Sequence, residues 1–451
     1  MSNEIVLKEV PFTKKLLRIA LPISFQYLML AAVAAADALM LGHFTQNSMA
    51  AVSLASQVQF IQNMFIAAVV SIEGILGAQY WGKKDSESLN KIFAIAIKMN
   101  AIIDLAFWAI CLFIPKQLMS LLTDQDLLIE IGAHYLTIAS WSYLITGISQ
   151  CYHAMMKVSD HPARTATISA CTVLINIFLN ALLIFGLFGL PVMGVAGAAY
   201  ATLISRIIEL IWCVANSYRK NYIHLKIKSF FKKTGNLFFD YIKLMLPILG
   251  ASLLWGAGFA SYSVFMGHLG LDAVAANSVA SVIRDLLCCF CNGLSSAAAV
   301  VIGNELGSGN LSRGKEYGDK ILKIAFIMGA VITILLLALT PLLTQMVTLT
   351  DGARFYLAGM LFINAFYMYG RTFNTIMING VIDAGGDTSF DLYSLIICMW
   401  CLAVPLAILG TFVYHWPVLL VYACTCIDEV GKIPWVIGRY KKYIWVKDLT
   451  R

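Results

Sequence analysis

The chain has 451 residues, 60 % of them hydrophobic and only 13 % charged, with a net charge of +7 and a mean hydropathy of +0.78. Water-soluble domains carry about a quarter charged residues, so this composition excludes a soluble fold. A helical membrane span needs roughly 20 apolar residues, which leaves room for about a dozen spans here.

The N-terminal stretch MSNEIVLKEVPFTKK is amphipathic and runs into a full-length apolar segment without a small-residue cleavage site, so no removable signal peptide is expected. The next stretch, Pro22 to Gly42, is apolar enough to lie in a bilayer yet contains Asp37. An ionised carboxylate in hydrocarbon costs several kcal/mol, so Asp37 has to face protein or a wet cavity and is a functional candidate. Pro22 removes one backbone hydrogen bond and is expected to act as a hinge near the start of this helix. Further apolar runs fall at about 50–79, 92–114, 127–156, 163–187, 192–217, 240–267, 273–304, 319–345, 351–381, 388–413 and 416–438, after a first run at about 15–42. The expected fold is therefore an all-α integral membrane protein with twelve transmembrane helices.

The longest polar stretch, Arg219 to Lys243, separates two halves of six runs each. It predicts an N-terminal lobe over 1–218, a cytoplasmic linker over 219–239 and a C-terminal lobe over 240–451. The halves are copies. A gapless shift of 225 puts Pro22 on Pro247, Gly42 and His43 on Gly267 and His268, Ser71 on Ser296 and Gly82 on Gly307. An even number of spans per half relates the copies by a pseudo-two-fold axis along the membrane normal, a transporter architecture with its site at the repeat interface.

Charge placement orients the chain. Segments on the side of the N-terminus hold 27 Lys and Arg, Lys8, Lys233, Lys432 and Arg451 among them, whereas the opposite loops hold only 2, Lys116 and Arg354. By the positive-inside rule both termini are expected in the cytoplasm, with the chain in the plasma membrane. A basic face against anionic lipid accounts for the net charge, and nucleic-acid binding is not called for. Most of the 11 cysteines, including Cys288, Cys289 and Cys291, lie in apolar runs. No Cys/His set has zinc spacing, so they read as reduced, small core side chains and no metal or other cofactor is expected.

The segments AQYWGKKD (78–85), GNELGSGN (303–310), NIFLNALLIFGLFGLPVMGVAGAAYATLIS (176–205) and AGGDTS (384–389), in this order and two-lobed setting, resemble the multidrug and toxic compound extrusion (MATE) family over essentially the whole chain. The resemblance implies a secondary antiporter that exports small organic compounds, often cationic and amphipathic, in exchange for H⁺ or Na⁺, its lobes rocking about a central cavity. Asp37 matches the family's first-helix acid, Asn176 its fifth-helix asparagine and Thr202 a sixth-helix threonine, while Asn180 stands where many relatives carry Asp. Asn176 and Asn180 are four apart and share one helix face. One carboxylate with amide and hydroxyl oxygens suits Na⁺, and equally a protonatable acid. The missing second carboxylate tilts the reading toward H⁺. Under the repeat, Asp37 corresponds to Tyr262, so ion coupling is expected in the first lobe alone.

Bland readings stand beside these. Asn176, Asn180 and Thr202 also suit plain interhelical glue. Asp104, midway along the third run, is a second candidate for the proton path. Glu73 is expected near lysines such as Lys83, and Arg206 and Glu209, three apart, are expected to pair. Arg284 and Arg371 either face the cavity and select an anionic group or pair elsewhere. Asp383, Asp387 and Asp391 read as a solvated turn with Gly385 and Gly386. Tyr152, Met155, Trp255, Phe259, Tyr262 and Phe290 are candidates to pack around a flat substrate in the cavity, although such side chains usually serve packing.

The alternative function is a flippase for a lipid-linked or otherwise amphiphilic metabolite, which should line its cavity with more basic residues than Arg284 and Arg371. An intramembrane enzyme would need a nucleophile–base pair or metal cluster at membrane depth, and none stands out. There is no GxxxxGK[ST] stretch, so an ion gradient is the expected energy source. The expected partners are a small-molecule substrate and the bilayer, with the protein working as a monomer.

Overall fold

The computed structural model describes residues 11–450 apart from Asn221, Lys233 and Thr348. The amphipathic residues 1–10, with Lys8, and the positive charges of Lys233 and Arg451 lie outside the described residues.

Twelve long helices follow one another: α1 (Phe12–Phe44), α2 (Gln46–Gly82), α3 (Ser86–Phe113), α4 (Asp126–Val158), α5 (Pro162–Phe185), α6 (Gly194–Ser217), α7 (Asn236–His268), α8 (Leu271–Gly307), α9 (Leu311–Met346), α10 (Asp351–Met377), α11 (Ser389–Val413) and α12 (Val418–Lys441). Short helices Pro115–Ser120 and Ile227–Phe231 lie in the connections, and no strand occurs among the described residues. Helix starts in the second half fall 224 to 227 residues after their counterparts in the first, so the repeat read from residues extends to the backbone.

Several helices outrun their apolar windows at the end nearest the termini. α3 begins at Ser86 and α9 at Leu311, because their charged first turns are themselves helical. Lys91 pairs with Glu87 at 3.3 Å and Lys320 with Glu316 at 2.6 Å, each four residues apart on one face. Asp85 caps α3 by accepting from the N–H groups of Glu87 and Ser88 at 3.1 and 3.0 Å. Partial burial opposes ionisation there, but these bonds prevail and hold the Asp85 carboxyl below its usual range.

Among the described residues nine helices carry a stretch long and apolar enough to cross a membrane. The other three, α4, α10 and α12, thread polar side chains through the lobe interiors, among them His153, Asn374 and Glu429, all at most 2 % exposed. α4 and α10 are counterparts in the repeat.

The lobes meet at the terminus side and part on the other. Two apolar clusters stay inside one lobe, around Leu136 and Tyr143 in the first and around Met360 and Met399 in the second. Two others cross between lobes: Leu16 and Ile23 of α1 pack with Val301 of α8, and Ile72 and Leu76 of α2 pack with Tyr241 and Met245 of α7. All of these crossing residues sit in the helix halves nearest the termini. There the repeat-related glycines admit the other lobe's backbone. A Cβ on Gly82 would lie 2.1 Å from the Asn304 carbonyl oxygen, and one on Gly307 would lie 1.9 Å from that of Gln79. Gln79 and Asn304 are themselves related by the 225 shift, so the contact obeys the pseudo-two-fold axis.

Candidate functional site

Where the lobes part, a cavity of about 690 Å³ opens between them. Its N-lobe wall includes Asp37, Asn176, Thr202, Arg206 and Glu209, and its C-lobe wall Trp255, Phe259, Tyr262, Arg284, Tyr367 and Tyr422.

Asp37 sits in the second half of α1, where its carboxylate meets α5. Asn180 donates from Nδ2 to Asp37 Oδ1 at 2.5 Å and to Asn176 Oδ1 at 3.2 Å. Asn176 in turn donates to Thr202 Oγ1 at 3.5 Å and Ser205 Oγ at 3.3 Å. A polar chain thus runs from α6 through α5 to a carboxylate on the cavity wall. Asn180 Oδ1 has no hydrogen-bond partner among the described residues, which leaves an amide oxygen beside Asp37 for a further donor or a cation. The four residues singled out in the sequence are brought together, and Ser205 joins them.

Asp104 is elsewhere. It is fully buried between α2, α3 and α4, accepting from Gln62 Nε2 at 2.8 Å and from the Gly147 N–H at 3.1 Å. Gly147 is required there, since a Cβ would stand 2.5 Å from Asp104 Oδ2. Beside the main chain of contacts, Glu209 accepts from Arg206 at 2.6 Å and pairs with His153 Nε2 at 2.9 Å. The pairing of Arg206 with Glu209 follows the sequence reading, and His153, 56 residues from Glu209 in the chain, joins it.

The second lobe holds a charged cluster that the sequence reading missed. Glu429 of α12, 2 % exposed, accepts from Arg371 Nη1 at 2.8 Å and Asn374 Nδ2 at 2.7 Å, with Lys432 Nζ at 3.7 Å. Arg371 also lies over the Trp255 ring at 5.3 Å. These groups border a smaller cavity of about 310 Å³ with Asp391. Lys432, counted above with the basic face, is 3 % exposed inside the lobe, and Glu429 is the charge that permits this.

Other expectations need correction. Tyr152 and Met155 do not line the cavity: both are packed in the apolar cluster that joins α2 to α7 across the lobes, Tyr152 edge-on to Phe93 at 5.0 Å. Phe290 is also outside the lining and 47 % exposed. Glu73 is fully enclosed beside the Cys151 thiol rather than placed at the lysine-rich rim. Asp383 is not solvated but 3 % exposed, because Trp445 folds onto the turn at Gly385, while Asp387 is taken up by Arg439 at 2.7 Å. Pro22 lies inside α1 and Pro247 at the corresponding place in α7.

The MatE family model matches residues 22–182 and 247–409, one copy in each half. Similar sequences include the uncharacterized transporter YisQ of Bacillus subtilis, 25 % identical with 91 % of this chain and 90 % of that protein aligned. The probable multidrug resistance protein NorM of Pasteurella multocida is 27 % identical, with 87 % of this chain and 85 % of that protein aligned. Among solved structures, a MOP superfamily transporter from Pyrococcus furiosus superposes with a TM-score of 0.86 at 17 % identity, covering 96 % of both chains. The Vibrio cholerae MATE transporter VcmN superposes with a TM-score of 0.88 at 15 % identity, covering 97 % of this chain and 98 % of that one. At such identities the structural likeness speaks for the shared two-lobed, twelve-helix membrane fold.

Proposed function

This chain belongs to the MatE family of membrane transporters, and on that footing we propose that it is a secondary antiporter exporting small organic compounds in exchange for H⁺ or Na⁺. The observation that carries the reading is the placement of Asp37: a carboxylate on the wall of a cavity between two lobes, held by the Asn180 amide at 2.5 Å. A group of this kind has two states, protonated or ionised, or empty or cation-bound, and each favours a different packing of α1 against α5. The ion then shifts the conformational equilibrium by its differential affinity for the two packings. Asp37, Asn176, Asn180 and Thr202 are the coupling groups of this reading, and Pro22 is its hinge. Asp104, fully partnered inside the N lobe, holds three helices together.

With both termini in the cytoplasm of a plasma-membrane protein, the seam at Gly82 and Gly307 closes the inner side and the cavity faces outward. Alternating access is a rocking of the N lobe, residues 1–218, against the C lobe, residues 240–451, about the fixed cavity, with no cofactor beyond the coupling ion and a single protomer as the working unit. The flippase alternative gains no support from the lining, in which Arg206 is matched by Glu209.

The test is flux in proteoliposomes holding the purified protein, with a pH or a Na⁺ gradient imposed separately and a panel of cationic and anionic dyes as cargo. Uphill movement of any dye under one gradient supports the reading. Movement only down the dye's own gradient under both contradicts it.

A further inference from the structure

The C-lobe wall of the central cavity carries polar groups that the coupling site does not use. Tyr262, Asn364, Tyr367 and Tyr422 line it at 8, 1, 3 and 3 % exposure, together with Trp255 and Arg284. Among the described residues the three tyrosine hydroxyls, the Trp255 indole N–H and both ends of the Asn364 amide have no hydrogen-bond partner. Asn364 stands beside the Tyr422 hydroxyl, outside bonding geometry. Buried polar groups are nearly always bonded, so several orphans on one wall point to something that enters and bonds them. Donors outnumber obligate acceptors in the set: three O–H groups, an N–H, an NH₂ and a guanidinium against the one Asn364 amide oxygen. Its complement is rich in acceptors.

Arg284 supplies the charge. Arg206 and Arg371 are each bonded to a buried glutamate, Glu209 and Glu429. Arg284 is instead paired through Nε alone with its neighbour Asp285 at 3.3 Å, and that carboxylate is 69 % exposed, so the pair is weak. The guanidinium lies 4.6 Å from the centre of the Phe259 ring, and Phe259 is 4.6 Å from Trp255. Two aromatic rings, tilted 49° to each other, and a cation with spare donors therefore adjoin. Asp428, the acid behind Tyr262 and Tyr367, is not part of the lining and accepts the Glu429 N–H at 2.8 Å.

We propose that this wall is a carboxylate-binding subsite for an aromatic substrate, whose ring system packs against Trp255 and Phe259 while its carboxylate meets Arg284 and accepts from Tyr367, Tyr422 and Asn364. The inference rests on the transport reading for the existence of a cargo and adds the chemical class of that cargo, an aromatic compound with an anionic group.

The probe is a rhodamine with a free carboxylate and its methyl ester, which share one aromatic body and differ in that charge. Binding to the purified full-length protein in nanodiscs is read by fluorescence anisotropy. The wild type is expected to bind the acid at least about tenfold more tightly than the ester, the scale of a charge-assisted hydrogen bond. Arg284→Gln brings the ratio close to one, Arg284→Lys keeps part of it, and Tyr367→Phe and Tyr422→Phe reduce it less. A wild type that shows no preference for the acid, or binds neither dye, overturns the subsite without recourse to any variant. A preference that survives both Arg284 substitutions overturns the role of that residue. Gradient-driven efflux measured on the same dyes separates the two readings. Efflux of the ester without acid preference sinks the subsite and keeps transport, whereas acid preference with no gradient-driven movement of either dye sinks transport and keeps the subsite.

Discussion

Gln79 on α2 donates its side-chain amide to the Ala384 carbonyl at 2.8 Å, tying the N lobe to the α10–α11 turn of the C lobe. The same amide accepts from the Leu449 N–H at 2.7 Å, so the C-terminal segment is clamped to both lobes. That segment is anchored by Trp445, 1 % exposed, and the turn beneath it needs glycine: a Cβ on Gly385 would lie 1.6 Å from the Trp445 carbonyl oxygen, and Gly386 has φ +84°. Closure on the terminus side is thus a polar clasp as well as an apolar seam.

Gln79→Ala removes the two short hydrogen bonds of this clasp, to Ala384 and Leu449, along with a longer one to the Lys447 carbonyl at 3.4 Å. At about 1 kcal/mol each, their loss raises the population open toward the termini by roughly tenfold to thirtyfold. Spin labels on the exposed positions Glu87 and Glu316, one on each lobe, read this by double electron–electron resonance. Longer distances gain weight in the variant, and an unchanged distribution contradicts the clasp.

The Glu429 cluster makes a stability prediction. Glu429→Gln takes from the buried Lys432 and the half-buried Arg371 the carboxylate that both contact, and breaking a buried ion pair in this way costs about 3–5 kcal/mol. The variant should melt well below wild type when unfolding in detergent is followed by fluorescence-detected chromatography. Combining it with Arg371→Gln should lose less than the two single losses together. Wild-type melting of Glu429→Gln contradicts the assignment.

Orientation is tested by thiol labelling after the native cysteines are removed. Cysteines at the exposed positions Gln46 and Lys116 should react with an impermeant reagent in intact cells, and one at the exposed Lys226 only after lysis. Labelling at Lys226 in intact cells reverses the topology, and with it the direction in which the cavity faces.

How much was legible in the sequence depended on the range of each signal. The 225 shift runs without gaps from Pro22 to Gly82, so the repeat and the six-by-six order were readable, and the helix starts follow them closely. Asp37 announced itself as an acid in an apolar run, and Asn176 and Asn180 as a pair on one face. Glu429 did not, because its partner Arg371 is 58 residues away on another helix and nothing in either segment points to the other. Lys432 lies close enough to the basic end of α12 to pass as a surface charge. Tyr152 and Met155 carried the right chemistry for a cavity, but composition does not tell which face of α4 meets the core. Asp383 looked solvated because the fold-back of Trp445 onto its turn is a contact across some sixty residues of chain, beyond local pattern.

The central claim is that Asp37 couples the ion to transport. The most direct measurement is uphill dye export from proteoliposomes under an imposed gradient, comparing wild type, Asp37→Asn and Asp104→Asn. The amide keeps the size of the side chain and removes its charge, so Asp37→Asn should fold, bind dye and let it move downhill, yet lose gradient-driven accumulation. Asp104→Asn, whose acid is bonded inside the N lobe to Gln62 and Gly147, should do less harm. Uphill export by Asp37→Asn at the wild-type rate would contradict the account and move the coupling site elsewhere.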